Sequence, residues 1–225
     1  MLTLHLLENS RAHRIVWLLE ELEIPYEIRT YLRDPKTLLA PPELKLVHPL
    51  GKSPVITDDG VTLAESAAIL EYLVEKYDTK KLLSPSGGSP ERLRYTYWLH
   101  YAEGSLMPPL LIALVFHRVE TAPVPFFVKP IVKQIVRKVE KQFIKPQLTT
   151  HLNYLESELT KNLWFAGKEF SAADIQLSYP LEAVRDRGGL DAKYPKLLAY
   201  LERIHARPAY QRAEKRGGGV DFRKF

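Results

Sequence analysis

The side chains best suited to chemistry cluster early in the chain, and the first of them is Ser10, flanked by Asn9 and followed by His13 and Arg14. Leu2, Leu4 and Leu6 alternate with Thr3 and His5, the period of a strand, whereas Ile15, Leu18, Leu19 and Leu22 recur at helical spacing. Ser10 therefore stands in the tight connection where a strand gives way to a helix. A hydroxyl there, beside the unpaired amides of a helix N-terminus, can donate a hydrogen bond to an anion. Nothing near it forms a Ser-His-Asp order, so stabilising a charge suits it better than attacking as a nucleophile. It could equally be a simple N-cap, and Asn9 and His13 are neighbouring donors able to serve in its place.

Two further groups follow. Lys52, Ser53 and Pro54 precede the run Val55, Ile56, Thr57. A proline cannot donate to a strand ladder and is acceptable only at a strand start or edge, and such an edge can accept another backbone. Lys52 is a compact cation that can reach a carboxylate, although most lysines are simply solvated. Glu65 and Ser66 stand at the next junction of strand and helix. An anion can dock on the free amides at Ser66, while Glu65 offers the opposite sign to an ammonium group. The plain alternative makes Ser66 an N-cap and Glu65 a first-turn acid.

The elements that must position these residues read as follows. Strands are expected at 2–7 and 26–31, with a helix over 11–23 between them and an irregular crossover over 35–47 broken by Pro41 and Pro42. Asp59-Gly60 between β-branched runs predicts a hairpin, and Ile69, Leu70, Leu73 and Val74 predict a helix over 66–77. The Pro-, Gly- and Ser-rich stretch 84–90 marks a break. This divides the chain into an α/β unit at 1–80, a linker at 81–90 and an all-helical unit at 91–225, the last opening with Ser89 as N-cap and Pro90 as its first residue.

Within the helical unit, spacing near 3.6 predicts five or six helices. Trp98, Tyr101, Ala102 and Ser105 share a face that could line an apolar cleft or form core, and His117 could sit in a pocket or on the surface. Val128, Ile131, Val132, Ile135, Val136 and Val139 share a face opposed by Lys129, Lys133, Arg137 and Lys138. A basic amphipathic helix of this kind can touch a membrane surface, but packing by its apolar side is the expectation. Phe170, Ser171, Asp174 and Ile175 have the form of a capping box with a hydrophobic staple.

Composition sets the outer limits. The 225 residues are 45% hydrophobic and 26% charged, as in ordinary globular proteins. With 27 acidic residues among 32 basic ones, the net charge of +5 is too mild to argue for nucleic acid. Cys is absent, so any sulfur chemistry must come from a ligand and no thiolate metal site is possible. The opening residues lack a leader-like pattern, which implies a cytoplasmic protein. Pro108–Phe116, the most apolar stretch, is too short to span a bilayer.

The runs HPLGKSPVI at 48–56 and LAESAAILEYL at 63–73, with the start ENSRAHR, resemble the glutathione S-transferases, most closely the fungal and bacterial serine-type (theta-like) enzymes. The resemblance implies a thioredoxin-like N-terminal domain (βαβ, crossover, ββα) followed by an all-helical domain with a hydrophobic substrate pocket. It implies that glutathione is the co-substrate, that no metal is needed, and that Pro54 is cis. Ser53 would pair its main chain with the cysteinyl unit, Lys52 would meet the glycyl carboxylate, and Glu65 and Ser66 the γ-glutamyl end. Ser10 would be catalytic, holding the sulfur as thiolate for conjugation to a hydrophobic electrophile, with Tyr101 and Ser105 in the pocket. A homodimer with a role in detoxification is expected. Peroxidase activity on organic hydroperoxides and a non-catalytic binding or assembly module are the alternatives; the lack of Cys argues against the cysteine-type transferases.

Overall fold

The computed structural model describes residues 1–187, 189–217 and 219–222; Gly188, Gly218 and residues 223–225, the end of the expected helical unit, lie outside them. Strands β1 (Thr3–Leu7), β2 (Glu27–Tyr31), β3 (Val55–Asp58) and β4 (Val61–Ala64) form one sheet in the order β2-β1-β3-β4. β1 runs parallel to β2, with Leu4 opposite Ile28, and antiparallel to β3, with Leu4 opposite Ile56. The alternation of β1 explains both layers around it. Leu2, Leu4 and Leu6 enter the main core with helices α1 (His13–Leu22) and α3 (Ser66–Tyr77), while Leu7 joins Tyr31 and Leu44 of the short α2 (Glu43–Val47) in a separate small cluster.

The hairpin between β3 and β4 turns at Asp59 (φ 46°) and Gly60 (φ 85°), two successive left-handed residues of the kind a tight two-residue turn requires. Asp58, almost wholly buried, then accepts hydrogen bonds from Tyr72 (2.9 Å), Tyr77 (2.7 Å) and Lys76 (2.7 Å). Burial alone would raise this carboxyl, but those donors outweigh it and hold it below its ordinary pKa. The hairpin is thereby clamped to α3, which fixes the position of the α3 N-terminus.

Ser89 accepts from the Arg92 amide (3.1 Å) and opens a helix that runs without a break from α4 (Pro90–Tyr101) through a π-helical segment (Ala102–Leu106) into α5 (Met107–Thr121). Its most apolar 18-residue window has a mean hydropathy of 1.3, enough by length and composition alone to cross a membrane. Trp98, Leu99, Ala102 and Leu106 instead carry it through the protein core. A second continuous run joins α6 (Lys129–Val139) to α7 (Lys145–Lys161), followed by α8 (Ala172–Asp186), α9 (Pro195–His205) and α10 (Pro208–Gly217). The capping box at α8 is present: the Asp174 carboxylate accepts from the Ser171 amide (2.9 Å), the Ser171 hydroxyl (3.1 Å) and the Phe165 amide (3.0 Å).

The apolar face of α6 differs from expectation. Among the aligned residues only Val136 is buried, while Ile131 and Ile135 remain 58% and 54% exposed. Among the described residues α6 packs mainly on α5 and the π-helical segment that follows it, which leaves much of the stripe exposed.

Candidate functional site

A cavity of about 380 Å³ opens where the C-terminal end of β1 meets α5 and α8. Ser10, Asn9, Lys52 and Ser53 line it from the sheet unit, and Met107, Leu110, Leu111 and Leu114 of α5 line it from the helical unit.

At Ser10 the hydrogen bonds can be assigned. The hydroxyl accepts from the Ala12 amide (3.2 Å), so the capping role is real. Its remaining contact is the Ser53 hydroxyl at 3.4 Å. Ser53 in turn accepts from the Leu7 amide (3.0 Å) and donates its proton to the His5 carbonyl (3.0 Å). With that proton spent, the donor in the long Ser10–Ser53 contact is Ser10, whose own proton is held only weakly. Ser53 therefore fixes the turn, and Ser10 keeps a proton to share.

Of the two rival donors, His13 points elsewhere: it is buried, packs edge-on to Tyr210 and places Nε2 2.7 Å from Glu214 of α10. Asn9 does line the cavity, in a left-handed conformation (φ 48°), with Oδ1 accepting from the Asp221 amide (3.0 Å).

The Ser53–Pro54 peptide is cis. Among the described residues the Ser53 main chain pairs with no other backbone group, and Lys52, exposed at the rim, has no ion pair. Glu65 sits at φ 73°, a conformation that costs a non-glycine residue about 1 kcal/mol or more. Its exposed carboxylate has no cationic partner among the described residues. Ser66, the first residue of α3, is buried and accepts from Arg14 Nη2 (3.0 Å).

Arg14 is the residue whose importance the linear pattern understated. Wholly buried, it donates to Ser66, to Glu103 Oε1 (2.6 Å) and to the Gln176 carbonyl (2.8 Å). That carbonyl is free because Pro180, four residues on in α8, has no amide to offer it. Burial pulls the Arg14 pKa down and Glu103 pulls it back up. Burial alone would raise Glu103, but Arg14 and Arg11 (3.2 Å) hold its carboxyl below the ordinary range. A single side chain on α1 thus ties α3, the π-helical segment and α8 together directly behind Ser66. Its partners lie tens of residues away, and the one local signal was Pro180 inside a helical pattern.

Tyr101 and Ser105 are not among the residues lining the cavity. Tyr101 is buried in an aromatic cluster with Trp98, Tyr97 and Tyr154, and its hydroxyl meets His151 Nδ1. The shared face of Trp98, Tyr101 and Ala102 is core, and the cavity-facing residues begin only after the π-helical segment, at Met107. His117 is exposed and also off the cavity.

Comparison with known proteins agrees with this architecture. The family model of the glutathione S-transferase N-terminal domain matches residues 10–76, and that of the C-terminal domain matches residues 126–212. Glutathione S-transferase 3 of Schizosaccharomyces pombe is 40% identical over 93% of this chain and 85% of its own length, and glutathione S-transferase 1 of Saccharomyces cerevisiae is 31% identical over 96% and 95%. A crystal structure of a glutathione S-transferase from Actinobacillus pleuropneumoniae superposes with a TM-score of 0.81 at 35% identity, covering 100% of this chain and 97% of that one. The chain belongs to the glutathione S-transferase family and is a glutathione transferase. Its fold is the thioredoxin-like domain plus helical domain that the motifs implied. Nothing in these likenesses favours hydroperoxide reduction or a non-catalytic module.

Proposed function

We propose that residues 52–66 hold glutathione and that Ser10 shares its proton with the sulfur, stabilising the thiolate that attacks a hydrophobic electrophile. The observation that carries this reading is the weakly held Ser10 proton beside the Ser53 turn. A free thiol with a pKa of about 8.5 is only a few per cent ionised at pH 7. Lowering it by about two units makes the thiolate dominant, at about 1.4 kcal/mol per unit. The unpaired Ser53 backbone suits the cysteinyl unit, Lys52 the glycyl carboxylate, and Glu65 with Ser66 the two charges of the γ-glutamyl end. The sulfur–carbon bond forms as the leaving group departs with its electron pair, and the thiol proton passes to solvent.

The test is Ser10→Ala with an aryl halide as electrophile. We expect kcat to fall by about 10–100-fold with little change in glutathione affinity, and the thiol pKa of the complex, read from thiolate absorbance, to return toward about 8.5. Unchanged conjugation would remove Ser10 from the mechanism. We place the enzyme in the cytoplasm, in a detoxifying role and as a homodimer. Leu93 at 75% and Tyr97 at 46% exposure give the helical unit an apolar surface suited to a second copy, and sedimentation of the purified protein tests this.

A further inference from the structure

The charge around the cavity exceeds what glutathione needs. Arg11, Arg33, Lys52, Arg118 and Arg187 line it, and among the described residues no Asp or Glu does. Arg11 is matched by Glu103 (3.2 Å). Lys52 is spoken for by the glycyl carboxylate in the reading above. Arg33 directs its guanidinium at backbone carbonyls, those of Glu8 (3.1 Å), Asn9 (3.1 Å) and Leu38 (2.8 Å). Arg118 near the end of α5 and Arg187 just past α8 remain, and among the described residues neither has a carboxylate within salt-bridge distance.

These two line the cavity from the helical unit, together with Leu110, Leu111, Leu114 and Ala183. Burial lowers the Arg187 pKa, Tyr179 opposes that fall, and the nearby positive charge of Arg118 adds to it. Arg33 is lowered in the same way, by burial first and by Arg118 in part. Like charges gathered over an apolar floor are costly unless an anion lies among them.

We infer that the second substrate is an apolar electrophile bearing a carboxylate, which Arg118 and Arg187 hold while its body lies on Leu110, Leu111 and Leu114. Guanidinium forks match carboxylate geometry, and an open apolar floor supplies the remaining affinity without fixing the ring's identity. The inference rests on the conjugation reading above. With a chlorinated nitrobenzoate, the thiolate sulfur bonds to the ring carbon bearing chlorine, the carbon–chlorine bond breaks, and chloride leaves with the bonding pair. The thiol proton goes to solvent, and no further reactant is required.

The experiment compares 4-chloro-3-nitrobenzoate with its methyl ester, each kcat/KM divided by the uncatalysed rate. The wild type should prefer the carboxylate by about tenfold or more. The double variant Arg118→Gln, Arg187→Gln should lose that preference while turning over the ester within about twofold of the wild-type rate, and added salt should shrink the preference because both groups are partly exposed. Equal treatment of acid and ester by the wild type, or an equal loss on both in the variant, would overturn the inference. Binding of the unreactive 3-nitrobenzoate in the presence of glutathione, measured by calorimetry, separates this from the conjugation reading. Tighter binding by wild type than by the double variant supports the anion site even if neither chloride compound is turned over, an outcome that would strike the conjugation reading alone. Equal binding by the two proteins would sink the anion site whatever the turnover.

Discussion

The residues proposed for glutathione, Ser10, Ser53, Glu65 and Ser66, come from turns and helix starts of one small sheet unit, Ser10 and Ser53 lining the cavity and Glu65 and Ser66 standing outside its lining, and their useful groups are hydroxyls, a carboxylate and backbone amides. In the helical unit Leu110, Leu114, Arg118, Ala183 and Arg187 come from two helices far apart in the chain, and they offer apolar area and side-chain charge. In the first group, the turn is held by the Ser53 hydroxyl between Leu7 and His5 and by Arg14 on Ser66, while the Ser10 proton and the Ser53 backbone stay available to a ligand. The second is open and partly exposed, so its contacts are individually weak and replaceable. One group therefore suits a single invariant partner and the other a range of partners sharing a chemical character.

Arg14 is where the contrast can be broken most severely, because its contacts tie α3 of the sheet unit to α8 of the helical unit. Arg14→Met leaves Glu103 and the Gln176 carbonyl short of a donor, and should cost about 3–5 kcal/mol of unfolding free energy, measured by denaturant titration. Glutathione affinity should fall with it, through the loss of the contact to Ser66. A stable variant with normal glutathione binding would show that the two groups are held independently.

Asp174 supports α8, which supplies the Gln176 carbonyl that Arg14 bonds and Ala183 of the cavity lining. Burial pushes its carboxyl up to about 6, from an ordinary 3.8, against the hydrogen bonds that lower it. The folded state thus binds this proton more tightly than the unfolded chain, and stability is fully present below pH 3.8 and declines as pH rises through about 6. Each pH unit across that window costs about 1.4 kcal/mol. Asp174→Asn should flatten this slope between pH 4.5 and 6.5 in unfolding titrations; an unchanged slope would place the titrating group elsewhere.

Smaller changes sharpen the contrast by touching one group at a time. Glu65→Gln removes the charge offered to an ammonium, and should weaken glutathione binding by about tenfold in calorimetry while thermal stability stays level, since the side chain has no partner to lose. Leu114→Ala should raise KM for a neutral aryl halide by only about threefold, because a partly exposed leucine yields part of its burial energy, and glutathione affinity should not change. If Leu114→Ala altered glutathione binding as much as Glu65→Gln does, the division into two groups would be wrong.

The sequence by itself determined the elements and singled out the residues proposed for glutathione. Strand alternation, the Asp59-Gly60 turn, the Ser89 cap and the run 66–77 all follow from local rules, and Ser10, Ser53 and Ser66 were legible because each sits at an element boundary, where backbone groups are unpaired. The start of α3 at Ser66 coincided with its reading. Tertiary structure alone decided which face of the long helix meets the cavity. Trp98, Tyr101 and Ser105 read equally well as pocket or core, since helical spacing says which residues share a face and not what that face touches. The same limit explains α6, whose apolar stripe was visible but whose cover was not. Arg14 with Glu103 and Gln176, and Arg118 with Arg187, are pairings across tens of residues. Only the packing of helices onto the sheet unit brings them together, and no periodicity within a single element encodes that.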